Sequence, residues 1–185
     1  MKNKGDYVAL RRELDEIVNG GKIAITDHPA AIAALTSRHP HSIRHLPELS
    51  KQPYNCFTHA LGLLDSDRVQ KVLQRDADWY GFAGIKVGSE FMARLIADQT
   101  LTSHSAGELT VYFFDGTPRH AGLVTGERVR SKWGIGNLWD HAVWEVPASY
   151  GETVERYRIK SIDMLENAFE IYAAVLIAKR GGYPD

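Results

Sequence analysis

The chain changes texture at Gly107, and that change restricts its fold more than any other feature. Before it, apolar residues recur at helical spacing. After it, short runs of β-formers alternate with turn residues. Residues 7–18 set Tyr7, Leu10, Leu14, Ile17 and Val18 at helical spacing until Gly20 and Gly21 stop the pattern. Residues 29–37 predict a second short helix, and residues 38–54, with three prolines and three histidines, read as loop. Helical character resumes at Cys56 in CFTHALGLLD, where Phe57, Ala60, Leu61 and Leu64 share a face. Ser66 or Asp67 is placed to cap a helix through Gln74. The connection WYGFAGIKVG then leads to a helix capped by Ser89, with Phe91, Met92, Leu95 and Ile96 on its core face.

Beyond Gly107, ELTVYFF predicts a strand that DGTP ends, and HAGLVTG and RVRSKWG predict two more around a reversal at Gly126-Glu127. Further strands are predicted at 142–146, 155–159 and 171–178, with a short helix at 161–169. Helices followed by a meandering antiparallel sheet make an α+β fold with one core. The length of 185 residues and an apolar content of 44% suit one ordinary domain.

Composition removes several classes of function. With 22 basic against 23 acidic residues and no basic cluster, nothing points to nucleic acid or to an anionic membrane. No stretch approaches the roughly 18 apolar residues of a membrane span, and the start lacks the apolar run of a secretory signal. A protein made in the cytosol is expected, with any export by a non-classical route. A single cysteine cannot form an internal disulfide, which suits a reducing compartment. The loop histidines His39, His41 and His45 lack nearby thiolate or carboxylate partners of a zinc site, so neither metal nor cofactor is expected.

That cysteine carries the chemistry. Cys56 follows the loop-like Pro53-Tyr54-Asn55 and opens a helical run, where unpaired backbone N–H groups stabilise a thiolate or an oxyanion. The competing reading is a small buried hydrophobe. A thiolate nucleophile needs a base, and His120 opens a strand with the small Ala121 and Gly122 behind it, leaving room for a helix to approach. Taken alone, His120 reads better as a turn residue that caps a strand. Asn55 reads as an oxyanion donor or, more simply, as the helix cap. His59, one turn on, is expected to pack or to contact substrate. Trp133 and Trp139 flank the glycines at 134 and 136 and suggest a groove edge.

The order of NCFTHALG at 55–62, GELTVYFF at 107–114 and HAGLVTGERV at 120–129 resembles that of NlpC-like peptidases of the papain-like superfamily. The later SKWGIGNLWDHAVWEVPASYGETVERYR is similar to a bacterial branch of that superfamily. The resemblance covers residues 52–160. It implies a papain-like NlpC-type fold over residues 51–185, with residues 1–50 a helical extension or lid in one compact unit. It implies Cys56 as nucleophile, His120 as general base and acid, and a third polar residue on the next strand. That place falls at Ser131, a departure from the usual histidine; His141, after Asp140, is the other candidate. The implied activity is a peptidase or amidase acting on peptide-like or cell-wall substrate, with transamidase and deamidase chemistry equally open. The alternative is a catalytically inactive binding or immunity-type domain that retains the fold.

Overall fold

The computed structural model describes residues 4–47, 54–80 and 85–182. Among these, six α-helices and seven strands follow one another: α1 (Val8–Asn19), α2 (His28–Ala34), β1 (Arg44–Leu46), α3 (Cys56–Ala60), α4 (Asp67–Tyr80), α5 (Ser89–Ala97), β2 (Leu101–Ser103), β3 (Leu109–Phe114), β4 (Thr117–Thr125), β5 (Arg128–Lys132), β6 (Leu138–His141), β7 (Thr153–Ile159) and α6 (Ile162–Lys179). The strands form one sheet in the order β1-β6-β5-β4-β3-β7-β2. Every pairing is antiparallel. The protein is therefore α+β, as its texture implied.

Strands β3, β4 and β5 form the centre of the sheet because their sequences suit burial on both faces. Successive strand side chains point to opposite faces. Leu109, Val111 and Phe113 join one core with Ala121, Phe57 of α3, Phe91 and Leu95 of α5 and Phe169 of α6. Tyr112 joins a second core with Leu10 and Leu14 of α1, Ile32 of α2, Trp133 and Trp139. The hairpin between β3 and β4 turns at Asp115 (φ 48°) and Gly116 (φ 68°), the left-handed pair that matches strand twist. A bulge between Tyr112 and Phe113 leaves Arg119 without a ladder partner, directly beside His120.

Several sequence expectations need correction. Residues 171–178 are not a strand but the second half of α6, whose start Ser161 caps by accepting from the Met164 N–H. A short apolar run cannot tell a buried strand from a helix by periodicity. Residues 142–146 are not a strand either: the strand ends at His141, and the Glu145 carboxylate folds the next residues by accepting from the N–H groups of Ala142 and Ser42. The supposed loop 38–54 contains β1, which pairs with β6, while residues 48–53 lie outside the described residues. The helix at Cys56 ends at Ala60, and α4 runs past Gln74 to Tyr80. Ser89 is the first residue of α5 and Gly88 its cap position. Part of the connection 79–88 also lies outside the described residues. No helix among the described residues is long and apolar enough to cross a membrane.

One buried cation fastens the amino-terminal helix to the sheet layer. Arg11 of α1 is 4% exposed. Its guanidinium donates to the carbonyls of Val146, Pro147, Ala148 and Gly151. A guanidinium spans such a set because its donors form a planar fork, which an ammonium lacks. Gly151 itself is obligatory, since at φ 151° a Cβ would lie 2.8 Å from the Phe113 backbone. Replacing Arg11 with alanine leaves buried carbonyls unsatisfied and should lower the unfolding free energy by about 3 kcal/mol. Arg11→Lys should recover only part of the loss. Urea denaturation measures both, and an alanine variant as stable as the parent would mean that the 146–151 segment holds itself.

Candidate active site

Asn55 starts α3. Its side-chain oxygen accepts from the N–H groups of Phe57 (3.1 Å) and Thr58 (3.0 Å), and its amide donates to the Val87 carbonyl at 2.6 Å. Its oxygen caps the helix and one amide proton is given to Val87, so Asn55 holds the start of α3 in place. The cap aims the first turn at the centre of the sheet. Val124 donates to the Glu108 carbonyl, so the odd-numbered residues of β4 turn their N–H groups toward β5. The register of β4 on β5 runs from Thr125–Arg128 to Leu123–Arg130, so Ala121 lies beyond its end. The Cys56 thiol packs against Ala121 in one core, and the Ala121 N–H is among the backbone dipoles that favour its thiolate.

Opposed effects act on the thiol. The N–H groups of Ala121, Phe57 and Cys56 itself favour the thiolate, while burial disfavours it more strongly and pushes the pKa up to about 11. A helix of five residues adds little dipole to compensate. In this structure Cys56 is a neutral, 7% exposed thiol at pH 7.

His120 and Ala121 leave β4 on opposite faces. Ala121 packs in the core that holds Cys56, and His120 faces the other way, opposite Tyr112. The imidazole is 1% exposed and stacks on Tyr150, with ring centroids 4.1 Å apart and planes 21° from parallel. Its Nε2 has no hydrogen-bond partner, and no thiol–imidazole hydrogen bond joins it to Cys56. Burial first, then the neighbouring His141 and His59, hold its pKa well below the usual value. His59 stacks loosely on Tyr54, with centroids 6.1 Å apart.

Ser131 and His141, rival candidates in the sequence, meet. Their strands pair so that Ser131 lies opposite Trp139 and Val129 opposite His141, on the face that carries His120. His141 Nδ1 lies 2.9 Å from the Ala142 carbonyl, which can only accept, so the proton sits on Nδ1. Nε2 then accepts from the Ser131 hydroxyl at 2.7 Å, and the Trp133 indole donates to Ser131 Oγ at 3.1 Å. Gly122 makes room for this serine: a Cβ there would stand 2.8 Å from Ser131 Cβ. His141 is wholly buried, with its pKa lowered to about 4, chiefly by burial.

The structure thus gathers Cys56, His120, Ser131, His141 and His59 around the middle of β4. It does not make Trp133 and Trp139 a groove edge. Both are 2% exposed and stack on each other in the second core, because this face of the sheet is covered by α1 and α2. The loop histidines disperse: His39 bonds to Glu13, His41 to the Ile32 carbonyl, and His45 packs on Trp139. Among the described residues no three His, Cys, Asp or Glu side chains are grouped to hold a metal. A groove of about 360 Å³ lies elsewhere, between α1 and α2, lined by residues such as Ile17, Ile23 and Leu35. Tyr150 was missed by sequence reasoning; the turn signal of Pro147 to Gly151, which fixes its place against β3, was the available clue. No protein-family model, curated protein or solved structure matches the chain.

The depressed histidines set a pH dependence. Above pH 6.5 both folded and unfolded chains leave them neutral. As pH falls below 6.5 the unfolded chain takes up protons that folded His120 and His141 refuse, so stability drops, for His141 until about pH 4. Each such histidine costs about 1.4 kcal/mol per pH unit in that window. Unfolding followed between pH 7 and 4 should give a shallower slope in His141→Gln, and an equal slope would mean that His141 protonates freely in the fold.

Proposed function

We propose that the protein is a cysteine-dependent acyl-transfer enzyme of the NlpC-like, papain-superfamily kind, acting on an amide in a peptide-like substrate such as a cell-wall peptide. The observation that carries this reading is the packing of Cys56, at the capped start of α3, against Ala121, one residue along β4 from His120. A cysteine at a capped helix start, a histidine on the facing strand, and a polar pair on the two strands beyond supply the parts that acyl transfer needs. The same order supports the NlpC-like topology.

Cys56 adds to the carbonyl as His120 takes the thiol proton, and the sulfur–carbon bond forms while the carbonyl electrons move to oxygen. Collapse expels the amine, which His120 protonates, and leaves a thioester on Cys56. Water, activated by His120, then releases the acid. The Ser131–His141 pair borders the base without touching the sulfur, so its part is to fix the polar wall behind His120. In the enclosed state both reacting groups are neutral. Reaction requires an opening that admits substrate and water, which lifts the burial that holds the thiol protonated.

The second reading, an inactive binding or immunity-type domain, is favoured by that same enclosure and by the high thiol pKa. Acetylation by p-nitrophenyl acetate separates the two. The folded protein should gain one acetyl group on Cys56 by intact mass and peptide mapping, and His120→Gln should slow this by on the order of 100-fold. Acetylation that occurs only on unfolding, or at the same rate in folded His120→Gln, would favour the inactive domain.

A further inference from the structure

Among the described residues, four tyrosines beyond α1 place their rings in or against the cores, and three of them give their hydroxyl an acceptor. Tyr112 donates to the Val143 carbonyl at 2.7 Å, Tyr172 to the Lys86 carbonyl at 3.1 Å, and Tyr157 to the Glu155 carboxylate at 2.7 Å. Tyr150 is the exception. It is 8% exposed, and its buried hydroxyl finds no acceptor for its proton, with only the Gly134 N–H aimed at its oxygen. A buried hydroxyl without an acceptor is costly and calls for an explanation.

The fold takes trouble to hold it there. Tyr150 ends the short turn Ala148–Tyr150, and Arg11 grips the carbonyls on either side of it, at Ala148 and Gly151. The ring stacks flat on His120 and meets the Trp133 ring edge-on, with centroids 6.4 Å apart. Burial, and then the nearby Cys56 sulfur, outweigh the Gly134 N–H and keep the hydroxyl protonated far above neutral pH, so it remains a donor. His120 Nε2 is orphaned in the same place. A hydroxyl whose proton finds no acceptor, close enough to feel the Cys56 sulfur, and the ring nitrogen stacked beside it would be satisfied together by a reacting carbonyl group.

Resting on the acyl-transfer reading, we propose that Tyr150 is a further catalytic residue, whose hydroxyl donates a hydrogen bond to the oxyanion formed when Cys56 adds to a carbonyl. The hydroxyl keeps its proton throughout: the charge appears on the carbonyl oxygen as the sulfur–carbon bond forms, and leaves when the carbonyl re-forms and the leaving group departs. The His120–Tyr150 stack sets the donor and the base at a fixed spacing, so one ring positions the other. This role is distinct from that of the backbone N–H groups at the start of α3, of which the Phe57 N–H is already given to Asn55.

Two reagents separate this role from a structural one. p-Nitrophenyl acetate reacts through an oxyanion, whereas iodoacetamide alkylates sulfur by direct displacement and forms none. Both must reach the same thiol, so access affects them alike when both rates are first order in reagent. In Tyr150→Phe, which keeps the ring and its stack, acetylation of Cys56 should fall by on the order of 100-fold while alkylation is unchanged. The pH profile of the remaining acetylation should not move, because His120 is untouched. An unchanged ratio of the two rates would overturn the role of Tyr150 while leaving Cys56 a nucleophile. Equal falls in both rates would make Tyr150 a structural support of the thiol's surroundings. A folded parent protein that alkylates but never acetylates would remove the acyl-transfer reading, and this inference with it.

Discussion

The β4–β5 ladder ends one residue short of where the strands could continue, and the rest of the site follows from what fills that gap. The register stops at Leu123–Arg130, and the first turn of α3 packs Cys56 against Ala121 beyond that point. The same contact takes the sulfur out of water. Burial then outweighs every donor that would ionise it, and the resting thiol is neutral.

The two cores of the molecule meet at this point. One face of the sheet carries Ala121 and packs on α3, α5 and α6; the other carries His120, Ser131 and His141 and lies beneath α1 and α2. Gly122 lets the Ser131 side chain cross where a Cβ would stand, and Arg11 ties α1 to the turn that presents Tyr150. Site and amino-terminal helices are therefore mechanically joined. The hydrogen bonds that order Ser131 and His141 also fix the tautomer of His141, so this part of the wall has one arrangement and not several.

Local chemistry made part of this legible in the sequence. Asn55 before an apolar helical run marks the start of α3, and Asp115-Gly116 between β-formers marks the β3–β4 hairpin. Both signals act within a few residues. What the sequence hid depends on distant partners. The three residues of β1 become a strand only because β6 pairs with them, and residues 171–178 are apolar on so many sides that helix and strand read alike. Ser131 and His141 looked like alternatives because nothing local reveals that β5 and β6 set them 2.7 Å apart. Trp133 and Trp139 looked like a groove edge until the amino-terminal helices covered them.

A single cysteine makes the central claim directly measurable, since the Cys56 Cβ gives one resonance in a chain labelled with ¹³C at cysteine. Its chemical shift followed against pH reports the ionisation of the sulfur in the folded protein. Burial at the Ala121 N–H predicts a thiol that stays protonated through neutral pH and titrates near 11. A midpoint below the ordinary ~8.5 would contradict the account, because the donors at the start of α3 would then outweigh burial and the folded protein would hold a thiolate.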